Sequence, residues 1–140
     1  MAHKNIGTIL VIDDNQIIRK SVKFLLQEIF KANGKSFRIL EGSDGVDTLK
    51  MVIDDQKLKN SIKCIFSDEK MEYFDGSKSI SIIRELENLN KIKRVNFVSI
   101  TSYDDNMNKN IIKNCGADYV VQKPCSRSSL INILENFNLI

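Results

Sequence analysis

Proline occurs once in the 140 residues (Pro124), histidine once (His3), and tryptophan not at all. With a single proline there is no Pro-rich linker, and no domain boundary shows in the composition. The three cysteines, Cys64, Cys115 and Cys125, have neither CxxC nor metal-ligand spacing, which excludes a zinc-ribbon or thioredoxin-like site. Their odd number, one within an apolar run, points to reduced thiols and a cytoplasmic location. Cys64 reads as a small core hydrophobe, Cys125 as an exposed residue that nothing marks as reactive, and His3 as a terminal residue without function. No apolar run approaches the ~20 residues of a membrane span, so no membrane insertion is expected. The start, Met1-Ala2-His3-Lys4-Asn5, is not a signal-peptide core. Neither sign of charge dominates. Against 18 acidic residues stand 21 basic ones, a net +3 too small to indicate nucleic-acid binding. There is no repeat and no low-complexity segment. Hydrophobic residues at 42% and charged residues at 28% describe one globular domain, 1–140, with its core over about 7–137. No further domain is expected after Phe137.

What is present centres on Ile62-Lys63-Cys64-Ile65-Phe66-Ser67-Asp68. This is a short apolar run, of the kind that forms a strand buried on both faces, and it stops at a carboxylate. Asp75-Gly76 follows as a turn whose glycine tolerates positive φ. Ile80, Ile83, Leu86 and Leu89 then recur at helical spacing. The unit is strand, acid, loop, helix.

The same unit recurs along the chain. Thr8-Ile9-Leu10-Val11-Ile12 predicts a first strand ending in Asp13-Asp14. Asn15 caps a helix from Gln16 to Ala32 with Ile17, Ile18, Val22, Leu25, Leu26 and Ile29 as its apolar positions, and Asn33-Gly34 stops it. Phe37–Leu40 predicts a weak strand toward an edge. Gly42-Ser43-Asp44-Gly45 turns into a helix with Val46, Leu49, Met51, Val52 and Ile53, followed by a polar connection over Asp54–Ser61. Val95–Ile100 is the fourth strand, ending in Thr101-Ser102. The segment Asp104–Asn114 carries four asparagines and predicts a weakly held helix. Tyr119-Val120-Val121 is the fifth strand, leading to Lys123-Pro124. Ser126 caps a last helix with Leu130, Ile131, Ile133, Leu134 and Phe137. Five strands alternating with five helices imply an α/β domain, with a parallel sheet, right-handed crossovers and helices on both faces.

Such a sheet gathers Asp13, Asp14, Asp68, Thr101 and Lys123 at one edge, above the strand C-termini, where open α/β sheets bind ligands. Three converging carboxylates repel one another unless a hard cation joins them, and Mg²⁺ suits all-oxygen ligands. Lys123 adds a mobile positive charge and Thr101 a hydroxyl donor. A carboxylate nucleophile, a metal and fixed donors are what phosphoryl transfer uses.

Several pieces in order carry a family resemblance that spans essentially the whole chain. They are Leu10-Val11-Ile12-Asp13-Asp14-Asn15, Ser43-Asp44-Gly45-Val46-Asp47-Thr48-Leu49, Asp68-x-x-Met71 with Phe74-Asp75-Gly76, Thr101-Ser102, and Gly116-Ala117-Asp118 leading to Lys123-Pro124. Together they resemble the receiver domain of two-component response regulators (CheY-like). The resemblance implies a flavodoxin-like (βα)5 doubly wound parallel sheet, strand order 2-1-3-4-5. It implies a phosphorelay signalling module that accepts a phosphoryl group onto Asp68 from a phosphohistidine of a sensor kinase or phosphotransfer protein. It implies that no separate metabolite is turned over and that the only catalysis is self-directed phosphotransfer and autodephosphorylation. By the same resemblance Asp14 ligates Mg²⁺ directly and Asp13 mainly through water, with Asp68 and the backbone carbonyl of Lys70 as further ligands. Thr101 bonds the phosphoryl group and moves inward on activation, Lys123 pairs with that group, and the Lys123–Pro124 bond is cis. Output passes through the fourth helix, fifth strand and fifth helix, roughly Asp104–Asn114, Val120, Gln122 and Ser126–Asn136, to a protein partner or output domain.

The chain departs from that pattern in four places. Glu72 stands where the family usually has proline. Lys70 and Tyr103 hold the two positions that commonly modulate dephosphorylation. Val120 occupies the switch position, three before Lys123, where the family usually has an aromatic. Tyr119 is one place earlier and faces the other side of its strand. These departures motivate an alternative, a receiver-fold binding module not switched by phosphate. A third reading, a Mg²⁺-dependent phosphomonoesterase, is disfavoured by the lack of a DxD arrangement after the first strand and of a cap domain.

Overall fold

The computed structural model describes residues 6–58 and 61–140; His3 lies outside them. Ten elements alternate: β1 (Thr8–Ile12), α1 (Gln16–Ala32), β2 (Arg38–Gly42), α2 (Gly45–Leu58), β3 (Ile62–Asp68), α3 (Gly76–Asn88), β4 (Asn96–Thr101), α4 (Asn106–Asn114), β5 (Tyr119–Gln122) and α5 (Arg127–Asn136). The strands form one parallel sheet in the order β2-β1-β3-β4-β5, a flavodoxin-like arrangement in a single domain.

The period of two along each strand divides the interior into two layers. Ile9 and Val11 of β1, Cys64 and Phe66 of β3, and Val98 and Ile100 of β4 pack with Val22, Leu26, Ile29 and Phe30 of α1 and Leu130, Ile133 and Leu134 of α5. Leu10 and Ile12, Ile65, and Phe97 face the opposite way, onto Val52 of α2, Ile80 and Ile83 of α3 and Ile112 of α4. The central strands β1, β3 and β4 are buried almost throughout. The edge strand β2 alternates between exposed and half-buried side chains before its buried Gly42. Among the described residues no helix is long and apolar enough to cross a membrane.

The caps follow from side-chain chemistry. Asn15 accepts from the Ile17 and Ile18 amides, Asp44 from those of Val46 and Asp47, and Ser126 from that of Ser129. Gly34, with φ 64°, takes the left-handed conformation just after α1.

The structure corrects several expectations. Helix α2 continues to Leu58, so most of the expected polar connection is helical. Its acids and amides make tertiary bonds there: Asp55 accepts from the Ser61 and Ile62 amides and the Ser61 hydroxyl, and Gln56 accepts from the Lys93 amide. Strand β2 begins at Arg38, and the Phe37 ring just before it is tilted against Phe30, centroids 4.5 Å apart. Ile17 and Leu89, expected as buried helix positions, are 80% and 60% exposed. Leu89 lies past the last turn of α3 at its C-cap, and Ile17 lies in the first turn of α1.

Candidate functional site

Register sets the site. Ile12 is paired with Ser67, so the next residues, Asp13 and Asp68, leave the sheet side by side. Across the other edge of β3, Asp68 is paired with Ile100, which places Thr101 one residue further on. The Lys123 amide donates to the Thr101 carbonyl at 2.7 Å, carrying β5 past its last paired residue and its side chain up to the same edge. The Lys123–Pro124 peptide is cis.

One ligand oxygen from each of Asp13, Asp14 and Asp68 lies within 4.8 Å of the others. Lys123 Nζ lies 3.0 Å from Asp68 Oδ1 and 3.3 Å from Asp13 Oδ2. Asp13 and Asp68 are buried while Asp14 is exposed. Burial is the main reason the Asp68 carboxyl is raised to about 6. Asp13 and Asp14 push it further up, and Lys123 offsets only part of this. Burial pulls Lys123 down, but the hydrogen bond and charge of Asp68, with those of Asp13, outweigh it, and its ammonium titrates above the ordinary lysine value. Three carboxylates facing one ammonium leave an excess of negative charge in a partly buried pocket. The donor set is all oxygen, so the residues fit a hard divalent cation.

Thr101 is 1% exposed, and its Oγ1 accepts from the Tyr103 amide at 3.1 Å. Lys70 is exposed in the loop after β3, Tyr103 is half-buried beyond β4, and Val120 is half-buried in β5. Asp13, Asp14, Asp68 and Lys123 thus form one contiguous group. Thr101 adjoins it through β4 and accepts from Tyr103, while Val120 lies in the apolar layer shared with α3 and α4.

Some supporting contacts were not legible in the sequence. The Glu72 amide donates to Asp14 Oδ2 at 3.2 Å, a bond that proline at this position would lack. Arg19 Nη1 donates to the Asp13 carbonyl at 2.8 Å while its Nε bonds Glu41. Glu69, buried beside Asp68, accepts from the Ser77 amide and hydroxyl at the start of α3. Backbone donors and long-range carbonyl contacts carry no residue-type signature, so no motif announces them. Gly76 also has a different role from the expected one. Its φ is not positive; a Cβ there would lie 2.6 Å from the Asp68 carbonyl oxygen, so only glycine lets α3 start this close to the acid. Met71, an expected packing residue, is buried, and its amide donates to Asp75. Cys125 is half-buried rather than exposed, and burial raises its thiol to about 11.

The family model described as "Response regulator receiver domain" matches residues 9–135. The hybrid signal transduction histidine kinase F of Dictyostelium discoideum is 29% identical over 130 residues, covering 92% of this chain and 11% of that protein. The chain therefore spans about a ninth of the length of that curated relative. Among solved structures, the receiver domain of Saccharomyces cerevisiae Ssk1, crystallised with the histidine phosphotransfer protein Ypd1, superposes with a TM-score of 0.77 at 19% identity, over 94% of this chain and 88% of that one. The receiver domain of a Pseudomonas aeruginosa sensor histidine kinase, with magnesium coordinated in its active-site cleft, gives 0.74 at 20% identity, over 94% and 97%.

Proposed function

The chain belongs to the response regulator receiver domain family, and from that premise we propose that it takes a phosphoryl group onto Asp68 from a phosphohistidine of a histidine kinase or phosphotransfer protein. The observation that carries this reading is the Lys123 ammonium, 3.0 Å from Asp68 and 3.3 Å from Asp13, inside a cluster of three carboxylates. An Asp68 oxygen attacks phosphorus, the P–N bond to the donor imidazole breaks, and the imidazole leaves with that electron pair. Lys123 holds the carboxylate in place and then neutralises a phosphoryl oxygen. Thr101 keeps its hydroxyl proton free, because Oγ1 uses a lone pair for the Tyr103 amide. Asp13, Asp14, Asp68 and the Lys70 carbonyl would hold Mg²⁺, which supplies charge neutralisation and a fixed point for a phosphoryl oxygen. Lys70 and Tyr103 flank the acceptor and tune the lifetime of the acyl phosphate.

Output is assigned to α4, β5 and α5. Met107 and Ile111, 73% and 54% exposed, give that surface an apolar element for a partner protein or output domain. The module works in a cytoplasmic compartment as a signalling component and not as an enzyme turning over a separate substrate. The test is an intact mass after incubation with Mg²⁺ and a small acyl-phosphate donor, repeated with a cognate phosphohistidine donor. One phosphoryl group gained by the native chain and none by Asp68→Asn is the expected result. No gain from either donor sinks the reading.

One observation favours a second reading, in which the fold binds its partner regardless of phosphate. Val120 stands at the switch position, and Tyr119 is turned to the other face of β5. Equal partner affinity in Asp68→Asn and in the phosphorylated native chain would select it.

A further inference from the structure

Tyr119 is unavailable to a switch centred on Thr101. It packs in the α1 and α5 layer, its ring centroid 5.3 Å from that of Phe137, and its hydroxyl accepts from Asn136 Nδ2 at 3.0 Å. Val120 faces the opposite layer and is paired with Ser99 of β4. Thr101 is two residues beyond Ser99 and so shares that face. Ser99 is buried, and its Oγ has no hydrogen-bond partner among the described residues. Next to Thr101, β5 therefore offers valine and β4 a small serine, with no ring from either strand.

A ring arrives from elsewhere. Tyr103, in the loop between β4 and α4, packs half-buried against the apolar cluster that contains Ile112 of α4, as do Val120 and Cys115. Its backbone amide is the donor to Thr101 Oγ1 at 3.1 Å. Resting on the phosphoacceptor reading above, we propose that Tyr103 is the positioning residue that carries the state of Thr101 to α4. A hydroxyl has one proton and two lone pairs. Thr101 can accept from the Tyr103 amide and donate to a phosphoryl oxygen at once, so a shift of the hydroxyl toward Asp68 draws the backbone at residue 103 with it. The ring then moves along the cluster that anchors α4. That helix is poorly held: it has nine residues, four of them asparagine, and Ile112 is its one buried side chain. A small displacement within the cluster that Ile112 packs into is enough to shift it.

The experiment is amide hydrogen exchange across Asn106–Asn114, with Mg²⁺ alone and with Mg²⁺ plus beryllofluoride as phosphoryl analogue. The native chain is compared with Tyr103→Ala, Tyr103→Leu, Tyr103→Phe and Tyr119→Phe, and analogue occupancy is read separately by fluorine NMR. The expected result is an analogue-induced change in exchange over α4 in the native chain, Tyr103→Phe and Tyr119→Phe. That change is lost in Tyr103→Ala and Tyr103→Leu although the analogue still binds. A merely structural role would alter basal exchange and leave the analogue-induced difference intact. Retention of the difference in both Tyr103→Ala and Tyr103→Leu, its loss in Tyr119→Phe, or its absence from an analogue-loaded native chain overturns the relay. Failure of the native chain to bind the analogue overturns the phosphoacceptor reading itself and removes the relay with it.

Discussion

At the scale of single residues the site is a balance between desolvation and pairing. Asp68 titrates at about 6 against an ordinary 3.8, chiefly through burial. The folded chain then binds more protons than the unfolded chain between these values, so stability falls as pH rises from about 4 to about 6. Discounted for solvent screening at this partly open edge, the difference is on the order of 1–2 kcal/mol in metal-free buffer. Asp68→Asn removes the titration. Its melting temperature should exceed that of the native chain above pH 6 and vary less over that window; a native curve that rises through it would contradict the assignment. Glu41 behaves in the opposite sense. Lys20, Arg19 and Lys23 hold it at about 2, so its contribution to stability is fully present above pH 4.5 and is lost progressively as pH falls from there to about 2.

At the scale of elements, each helix is as secure as its buried stripe and its caps. Helix α1 has four buried side chains and a doubly bonded Asn15 cap, while α4 has Ile112 and an Asp105 cap bonded to the Asn108 amide. Loss of a cap of this kind costs about 1 kcal/mol. Asp105→Ala should therefore speed exchange in Asn106–Asn114 by roughly fivefold and leave α1 unchanged, as read by hydrogen exchange with mass detection. Uniform acceleration across the chain would mean that α4 does not open separately. Helix α2 shows why element ends are hard to read. Its last turns carry Asp54, Asp55, Gln56 and Lys57, which look like a polar connection, yet Asp55 and Gln56 bond to β3 and to the segment before β4. The reward for continuing the helix lies in partners remote in sequence.

At the scale of the whole molecule, two apolar layers share one sheet, and Phe66 lies at its middle with no exposure. Phe66→Ala should cost about 3–5 kcal/mol in denaturant unfolding, more than any single surface ion pair. A loss under 1 kcal/mol would mean that the layer closes over the gap. The far end of the sheet is tied by Arg84, which bonds Glu87, Asp118 and the Val95 and Gly116 carbonyls, while Arg94 also pairs with Asp118. This network fastens α3 to β4 and to the turn before β5, at the edge opposite the acids.

By itself the sequence determined the alternation of strand and helix, the boundaries marked by Asn15, Gly34 and Ser126, and the carboxylates at strand ends. Periodicity and capping are local properties, written within a few residues of where they act. Motif order brought the sheet topology and the identities of Asp13, Asp14, Asp68, Thr101 and Lys123 as well. Only the tertiary structure decided what surrounds them. The Glu72 amide on Asp14, Arg19 on the Asp13 carbonyl, the closeness that requires Gly76, and the tie from Tyr103 to Thr101 are bonds to backbone groups or contacts across elements. Every residue type has the same backbone donor and acceptor, and which ones meet depends on how the layers pack, so they come into view only once the chain has folded.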